Sequence, residues 1–273
     1  MLMRFMRICV AILTVLVTVV FLVVFITNKI KTDNTIPVIT VDGDVLEVSV
    51  KATNEDLLSG VKAVDEKDGD ISDRLLVESI GRFSEDRYCK ITYAVSDLDN
   101  HVATATRKIH YTDYTVPKFT MSKPLLFPAD SLDINGIVGA WDCLDGDISQ
   151  NVVVYSPDFE EKKEGTFSIQ ATVTNSKGDT AKIVLPMVVE KQAKDSPQIL
   201  LNKYLIYVQK GKAAPDWKKY IFETTDSTGM EADLKIDINT NFNKDKPGIY
   251  TVNYYGTDSR KIKGHTALIV VVE

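Results

Sequence analysis

The sequence predicts an all-β fold in which three tandem β-sandwiches follow one N-terminal transmembrane helix. Three observations lead to this prediction: an uncharged apolar run near the start of the chain, a linker motif that recurs every 80 residues, and segments in which apolar and polar residues alternate. The chain has 273 residues, which is enough for about two or three ordinary domains.

Residues 8–26 form the apolar run and contain no charged side chain. As a helix with a rise of about 1.5 Å per residue the run is roughly 28 Å long, close to the hydrocarbon thickness of a bilayer. It ends in the letters FITNK, without the small-residue pattern of a cleavage site. We therefore predict a short tail and an uncleaved signal anchor within residues 1–31. A cleaved signal peptide is the weaker alternative.

Charge predicts the orientation of this anchor and excludes one class of partner. Arg4 and Arg7 precede the run and Lys29 and Lys31 follow it, so the positive-inside bias is slight. The rest of the chain carries 28 basic and 38 acidic side chains, a formal net charge of −10. We expect a single-pass membrane protein, with a cytoplasmic N-terminus and extracellular C-terminal domains. An acidic body repels phosphate backbones, so we expect no nucleic-acid partner.

A linker motif divides the remaining residues into repeats. TDNTIP at 32–37 matches TDYTVP at 112–117, and DSP at 195–197 is a degenerate third copy. The strand that follows each proline keeps the same spacing, with Val45, Leu125 and Leu205 at equivalent positions. Such internal similarity is the signature of tandem domains. It predicts domains over residues 32–113, 114–191 and 192–273, of which the third is the most divergent.

Each repeat contains a segment whose apolar residues recur with a period of two, as in a half-buried β-strand. Turn residues follow, and then a last strand. No segment outside the apolar run has the pattern of an amphipathic helix, so the repeats are typical of antiparallel sandwiches of about seven strands. The residues predicted to share one buried face are Cys89, Ile91, Tyr93 and Val95; Phe167, Ile169, Ala171 and Val173; and Tyr250, Val252, Tyr254 and Gly256.

Four stretches of the first repeat carry a resemblance to a known family. They are PVITV at 37–41, VKAVDEKDGDIS at 61–72, ITYAVSD at 91–97 and ATATRKI at 103–109. Together they resemble the bacterial surface immunoglobulin-like domain family, which recurs in tandem in cell-surface proteins and is related to a domain of some insecticidal crystal toxins. The resemblance covers residues 36–111 well, 116–190 fairly and 196–273 weakly. It implies three immunoglobulin-like sandwiches that act as spacer or adhesion modules, with no catalytic residues.

The acidic pentapeptide DGDIS occurs twice, at 68–72 and 145–149. In an immunoglobulin-like sandwich it falls in the B–C loop, beside the F–G turn and the linker that enters the domain. Turn chemistry, which requires no cofactor, is the favoured explanation because D-G turns are common. Calcium is the alternative, since Ca²⁺ takes six to eight oxygen ligands. The candidate calcium ligands are Asp33, Asp65, Asp68, Asp70, Asp113, Asp142, Asp145 and Asp147.

The sequence contains no C-x-x-C, H-E-x-x-H, G-x-S-x-G or P-loop motif, so we expect no enzyme. The predicted function is adhesion, spacing or protein interaction at the cell surface, and the partner is a surface protein or a cell-wall glycan. A carbohydrate- or peptidoglycan-binding module is the alternative, with Trp141 as a candidate stacking residue. Trp217 is expected in a core, and Cys89 is expected as a buried thiol. An accessory to a glycan-active enzyme is the remaining possibility.

Overall fold

The computed structural model describes residues 2–31, 35–128, 133–160, 163–191 and 195–273. It confirms the predicted class, because the chain consists of one apolar N-terminal helix followed mainly by β-strands. The chain divides into two compact units, Met1–Thr112 and Asp113–Glu273. The first unit contains the helix and one β-sandwich, and the second contains two β-sandwiches.

Helix α1 spans Leu2–Lys31 and is longer than the predicted 8–26. It extends in both directions because residues 2–31 contain no glycine or proline to end it. Its segment Phe5–Thr27 is long and apolar enough to cross a membrane, which suits an anchor or a signal sequence. The hydroxyl groups of Thr14, Thr18 and Thr27 each donate to a backbone carbonyl four residues earlier, so they add little polarity to the apolar surface.

Sandwich 1 pairs a three-stranded sheet, ordered β1-β3-β4, with a four-stranded sheet, ordered β2-β7-β6-β5. The predicted inner face of β6 is confirmed, since Cys89, Ile91, Tyr93 and Val95 are all buried. The elements are β1 Val38–Val41, β2 Val45–Val48, α2 Asn54–Leu57, β3 Val61–Asp65, β4 Gly69–Asp70, β5 Leu76–Phe83, β6 Cys89–Ser96 and β7 Val102–Tyr111.

Sandwiches 2 and 3 repeat this plan. Their smaller sheets are ordered β11-β10-β8 and β15-β17, and their larger sheets are ordered β12-β13-β14-β9 and β16-β20-β19-β18. The first strands of the three sandwiches begin at Val38, Lys118 and Gln198, which preserves the spacing of 80. The strands are β8 Lys118–Met121, β9 Leu126–Phe127, β10 Val138–Asp142, β11 Gly146–Asp147, β12 Val153–Tyr155, β13 Gly165–Thr174, β14 Thr180–Val189, β15 Gln198–Leu201, β16 Leu205–Val208, β17 Ile221–Thr225, β18 Lys235–Thr240, β19 Gly248–Thr257 and β20 Lys263–Val272.

Sandwiches 2 and 3 pack against each other within the second unit. Their buried side chains form one contiguous cluster. The backbone N–H of Phe119 donates to the Tyr207 hydroxyl at 2.9 Å, and the Lys118 ammonium lies 4.7 Å from the centre of the Tyr207 ring. Lys118 also forms an ion pair with Glu273. These contacts join β8 of sandwich 2 to β16 of sandwich 3 and to Glu273, which follows β20.

Candidate functional site

The repeated pentapeptide DGDIS belongs to the loop that follows β3 in sandwich 1 and β10 in sandwich 2. Gly69 and Gly146 adopt φ values of +76° and +74°, a conformation that glycine adopts without steric cost. The isoleucine that follows, Ile71 or Ile148, is buried and anchors the loop in the core. The glycine and the isoleucine of the motif therefore have conformational roles.

A buried aspartate precedes each pentapeptide. Asp65 ends β3 and its Oδ1 accepts the backbone N–H groups of Lys67 and Asp68, both at 2.9 Å. Asp142 ends β10 and accepts those of Leu144 at 2.9 Å and Asp145 at 3.0 Å. These carboxylates are only 2% and 0% exposed, and they satisfy donors that the turn would otherwise leave unpaired.

The second aspartate of each loop binds the neighbouring F–G turn. The Oδ2 of Asp68 accepts the backbone N–H of Leu98 at 2.8 Å. In sandwich 2, Asp145 accepts the Ser176 backbone N–H at 2.6 Å and its hydroxyl at 2.7 Å. The predicted meeting of the B–C loop and the F–G turn is therefore confirmed, and the carboxylate joins them directly.

The F–G turns themselves share one construction. Asp97, Asn175 and Asp258 are buried, and the Oδ1 of each accepts the backbone N–H of the residue four positions later. The residue just before that donor has a positive φ in all three turns, namely Asn100, Gly178 and Lys261. A short polar side chain at the first turn position is therefore part of the fold in every repeat.

The chain enters each of the first two sandwiches beside this pair of loops, which we name the linker end. The Thr35 hydroxyl donates to Asp65 at 3.3 Å. The Tyr114 hydroxyl donates to Asp179 at 2.8 Å and accepts from the Asn175 amide at 2.9 Å. Burial raises the pKa of Tyr114, and the bond to Asp179 and its charge raise it further, so the phenol stays protonated at neutral pH.

The last aspartate of each pentapeptide, Asp70 or Asp147, accepts hydrogen bonds from the serine two residues later. Hydrogen bonds from the side chain and backbone of Ser72 hold the pKa of Asp70 below its usual value, and Ser149 acts in the same way on Asp147. Because these groups are anionic at neutral pH, they accept the backbone N–H bonds in their stronger, charge-assisted form.

The structure places the calcium candidates in different surroundings. Asp33 lies outside the described residues, and Asp113 is exposed in the linker. The other six candidates each accept at least one hydrogen bond from the protein, as described above. Across the described ranges, no group of three or more His, Cys, Asp and Glu side chains is placed to hold a metal ion. Turn chemistry accounts for these loops, and the calcium interpretation stays a prediction.

In sandwich 3 the carboxylate that joins the B–C loop to the F–G turn comes from the turn and not from the loop. Asp226 occupies the position of Asp65 and accepts the backbone N–H groups of Thr228 at 2.7 Å and Met230 at 3.2 Å. The carboxylate that joins the two loops comes from the F–G turn, where Asp258 accepts the hydroxyl and backbone N–H of Ser227. This exchange was not predicted from the sequence, although DSTGME at 226–231 in place of DEKDGD at 65–70 marks the position.

A second feature that was not predicted from the sequence is a buried arginine in sandwich 1. Arg107 is 7% exposed and donates to the Tyr93 hydroxyl at 2.7 Å. Its guanidinium also donates to the carbonyl groups of Leu57 and Ser59 at 3.2 and 2.7 Å. The sequence does indicate this burial, because Arg107 alternates with Lys108 and so shares the inward face of β7 with Ile109. Trp217, by contrast, packs half-buried against the core as expected, and Cys89 is buried.

Comparison with known proteins gives one relative by sequence, and no family model matches the chain. An uncharacterized 81.3 kDa protein of Acholeplasma phage L2 is 28% identical over 172 residues, which cover 60% of this chain and 22% of the phage protein. The chain therefore spans less than a quarter of that relative's length.

Two solved structures are among those that match the chain. The M60 catalytic domain of Clostridium perfringens ZmpB with its CBM51-1 and CBM51-2 domains is 16% identical, with a TM-score of 0.23, and the match covers 88% of this chain and 31% of that one. Drosophila N-cadherin EC1-4 is 11% identical, with a TM-score of 0.24, and the match covers 89% of this chain and 76% of that one. What this chain does is therefore inferred from its own residues.

Replacing the buried aspartate tests the role of the loop. Asp142→Ala leaves the N–H groups of Leu144 and Asp145 without their acceptor, and we expect the free energy of unfolding to fall by about 3 kcal/mol. Asp147→Ala is the matched control in the same loop, since Asp147 is exposed, and it should cost less. Urea denaturation of the fragment 35–273 measures both. Equal losses in the two variants would contradict a structural role for Asp142.

Thermal melting with and without calcium separates the two interpretations of the acidic loops. We expect the fragment 35–273 to melt at the same temperature in 1 mM calcium, about its extracellular concentration, as in excess chelator. This follows because the carboxylates are already used by backbone N–H groups. An ion that binds only the folded state raises the midpoint. A rise that Asp68→Asn and Asp145→Asn abolish would support the calcium interpretation instead.

Proposed function

We propose that this chain is a single-pass membrane protein of the bacterial surface immunoglobulin-like type. Its N-terminus lies in the cytoplasm, and its sandwiches project outside the cell as a spacer and adhesion module. One observation carries the proposal: successive sandwiches that follow an exposed apolar helix repeat the same linker end. In each of them an aspartate caps the B–C loop, and a carboxylate joins this loop to the F–G turn.

The exposed helix supports attachment to a membrane. The described side chains of Phe5–Thr27 are uncovered by the sandwich of the same unit. In water, a continuous apolar surface of this length is an aggregation hazard, whereas a bilayer about 30 Å thick covers it. The acidic body that follows stays outside when the N-terminus is cytoplasmic.

The bonded linker ends support a spacer role. A carboxylate that joins two loops beside the linker limits the motion of the segment that enters the sandwich, and Tyr114 extends this restraint to the linker itself. The packing of sandwich 3 against sandwich 2 restrains the second unit further. Such restraint suits a module that displays a binding surface away from the membrane.

The hydrogen bonds of the acidic side chains support a role without catalysis. Glycoside hydrolysis, the chemistry that two carboxylates would perform, needs one of them free to donate a proton and the other free to attack or to activate water. Here Asp65, Asp68, Asp142 and Asp145 instead accept backbone N–H groups that fix the loops.

Sandwich 3 offers the surface that we assign to partner contact. Phe222 and Met230 are 72% and 71% exposed on the segment that contains β17. β17 has a single sheet partner among the described strands, β15. The other edge of β17 is bonded near its C-terminal end, where the Ala232 N–H donates to the Thr224 carbonyl and Thr225 forms a bridge with Glu231. The exposed apolar side chains beside this short strand are therefore the feature that suits contact with another protein.

Proximity labelling on intact cells tests this assignment, with the labelling enzyme fused after residue 273. We expect labelling of extracellular neighbours by the wild-type protein, and loss of the main neighbour in the double variant Phe222→Ser, Met230→Ser. The double variant Val153→Ser, Val184→Ser is the matched control, because these side chains of sandwich 2 are 65% and 52% exposed.

Two results would contradict the proposal. Labelling restricted to cytoplasmic proteins would overturn the orientation, and unchanged neighbours in the Phe222 and Met230 variant would overturn the contact surface. Point variants are preferable to deletion of residues 195–273, because deletion also uncovers the apolar residues that sandwich 2 shares with sandwich 3.

A carbohydrate-binding module is the second candidate, favoured by one observation. Trp141 is 54% exposed on β10, where its cross-strand neighbours are Lys118 and Asp147. An exposed ring flanked by polar side chains suits stacking on a sugar. Trp217 is not suited to stacking on a sugar, because its ring packs against the Phe242 ring with 5.4 Å between the two ring centres.

A pull-down on purified cell wall separates this candidate from the first. If the chain binds wall glycan through the exposed ring, Trp141→Ala lowers retention about tenfold without changing the melting temperature, since base stacking on aromatic rings sets a comparable scale of about 1–3 kcal/mol. We expect Trp217→Ala to lower the melting temperature. Equal retention of wild type and Trp141→Ala would remove this candidate.

A further inference from the structure

Sandwich 1 has a groove of about 870 Å³ on the side formed by β2, β5, β6 and β7. Its lining includes the cations Arg82, Lys90 and Lys108, the rings of Phe83 and Tyr88, and one acid, Asp44. The body of the chain carries a net negative charge, so this concentration of cations is a local exception.

The two lysines are placed directly opposite each other. Lys90 on β6 and Lys108 on β7 are cross-strand partners in the sheet register, and like charges in that position are destabilising. Within the described part of the chain, no carboxylate lies within 4.0 Å of Arg82, Lys90 or Lys108. The Lys108 ammonium lies 5.5 Å from the centre of the Tyr88 ring.

The fold does not require lysine at these positions, as the other two sandwiches show. The equivalent cross-strand pair is Ser168 and Pro186 in sandwich 2, and Thr251 and Ile269 in sandwich 3. The same ladder therefore forms without any charge. The repulsion in sandwich 1 is a cost that the ladder does not require. The contact of Lys108 with the Tyr88 ring offsets part of it, and a bound anion would offset it further.

The neighbouring side chains indicate which anion fits. The row of the sheet next to the lysines carries hydroxyl groups on three adjacent strands, those of Ser79, Thr92 and Thr106. Thr106 lines the groove itself, and the other two extend the row beyond it. Cations bind carboxylates, hydroxyl groups bind sugar hydroxyls, and the ring of Tyr88 offers an apolar face. A phosphate polymer needs only the cations, and a flat membrane surface does not enter a groove.

We propose that this groove binds an acidic polysaccharide, with Lys90 and Lys108 holding a sugar carboxylate and Tyr88 contacting the ring. The inference deepens the proposed surface function by naming a class of partner, and it rests on that function for access to extracellular glycan. Binding itself is measured on purified protein, so its failure is distinguishable from a failure of the predicted membrane orientation.

The test uses the full chain in detergent micelles and polygalacturonate as the probe, with uncharged dextran as the polymer control. The double variant Lys90→Gln, Lys108→Gln should bind polygalacturonate about tenfold more weakly, a change equivalent to about 1.4 kcal/mol. Lys51→Gln, Lys62→Gln is the matched control, because it removes the same charge at exposed positions outside the groove and should bind as the wild type does.

Stability provides an independent readout. The double variant removes the repulsion between Lys90 and Lys108 and also the contact of Lys108 with the Tyr88 ring. Because both effects are small at exposed positions and oppose each other, its melting temperature should stay close to that of the wild type. Weaker binding together with undiminished stability assigns the lysines to the ligand. A lower melting temperature in this variant would mean that the lysines stabilise the fold, and would overturn the proposal.

Three further outcomes overturn it. They are no binding of polygalacturonate by the wild type, equal binding by the groove variant and the wild type, and equal binding of dextran. Polyphosphate is the second charged probe, because it supplies anions without a sugar ring. Tighter binding of polyphosphate than of polygalacturonate would overturn the assignment to a sugar acid, and weaker binding would support it.

Discussion

Each linker end depends on the hydrogen bonds that a buried aspartate accepts at the end of β3 or β10. Asp65 and Asp142 accept the N–H groups of the residues that turn the chain away from the strand. Only when those donors are satisfied can the loop place its next aspartate against the F–G turn. The buried aspartates also reach the linker. Asp65 accepts the Thr35 hydroxyl, and Asp142 accepts the Asn175 amide, which donates to Tyr114 as well.

Sandwich 3 shows which part of this arrangement is essential. Asp226 keeps the capping role, but the contact between the loops is made by Asp258 of the F–G turn and Ser227 of the B–C loop. A carboxylate between the two loops is therefore preserved, while the loop that supplies it is not. Divergence of the third repeat in sequence conceals this common physical solution.

Much of the fold could be predicted because strand period and linker spacing are local properties of the sequence. The inner faces of β6 and β13 and the meeting of the acidic loop with the F–G turn follow from alternation and the sandwich plan. The partners of Tyr114, Arg107 and Tyr207 could not, because each is fixed by side chains more than ten residues away in sequence. The same holds for the packing of sandwich 2 on sandwich 3. The longer helix reflects the absence of a helix-breaking residue, which the apolar run alone does not show.

Amide hydrogen exchange in metal-free buffer tests the central claim most directly, since protection of an amide reports its hydrogen bond. The N–H groups of Leu98 and Ser176 lie in turns, where they have no strand partner, and each is bound by a loop carboxylate. We predict that both exchange slowly without calcium and rapidly after Asp68→Ala and Asp145→Ala. Rapid exchange in the metal-free wild-type protein would contradict the account.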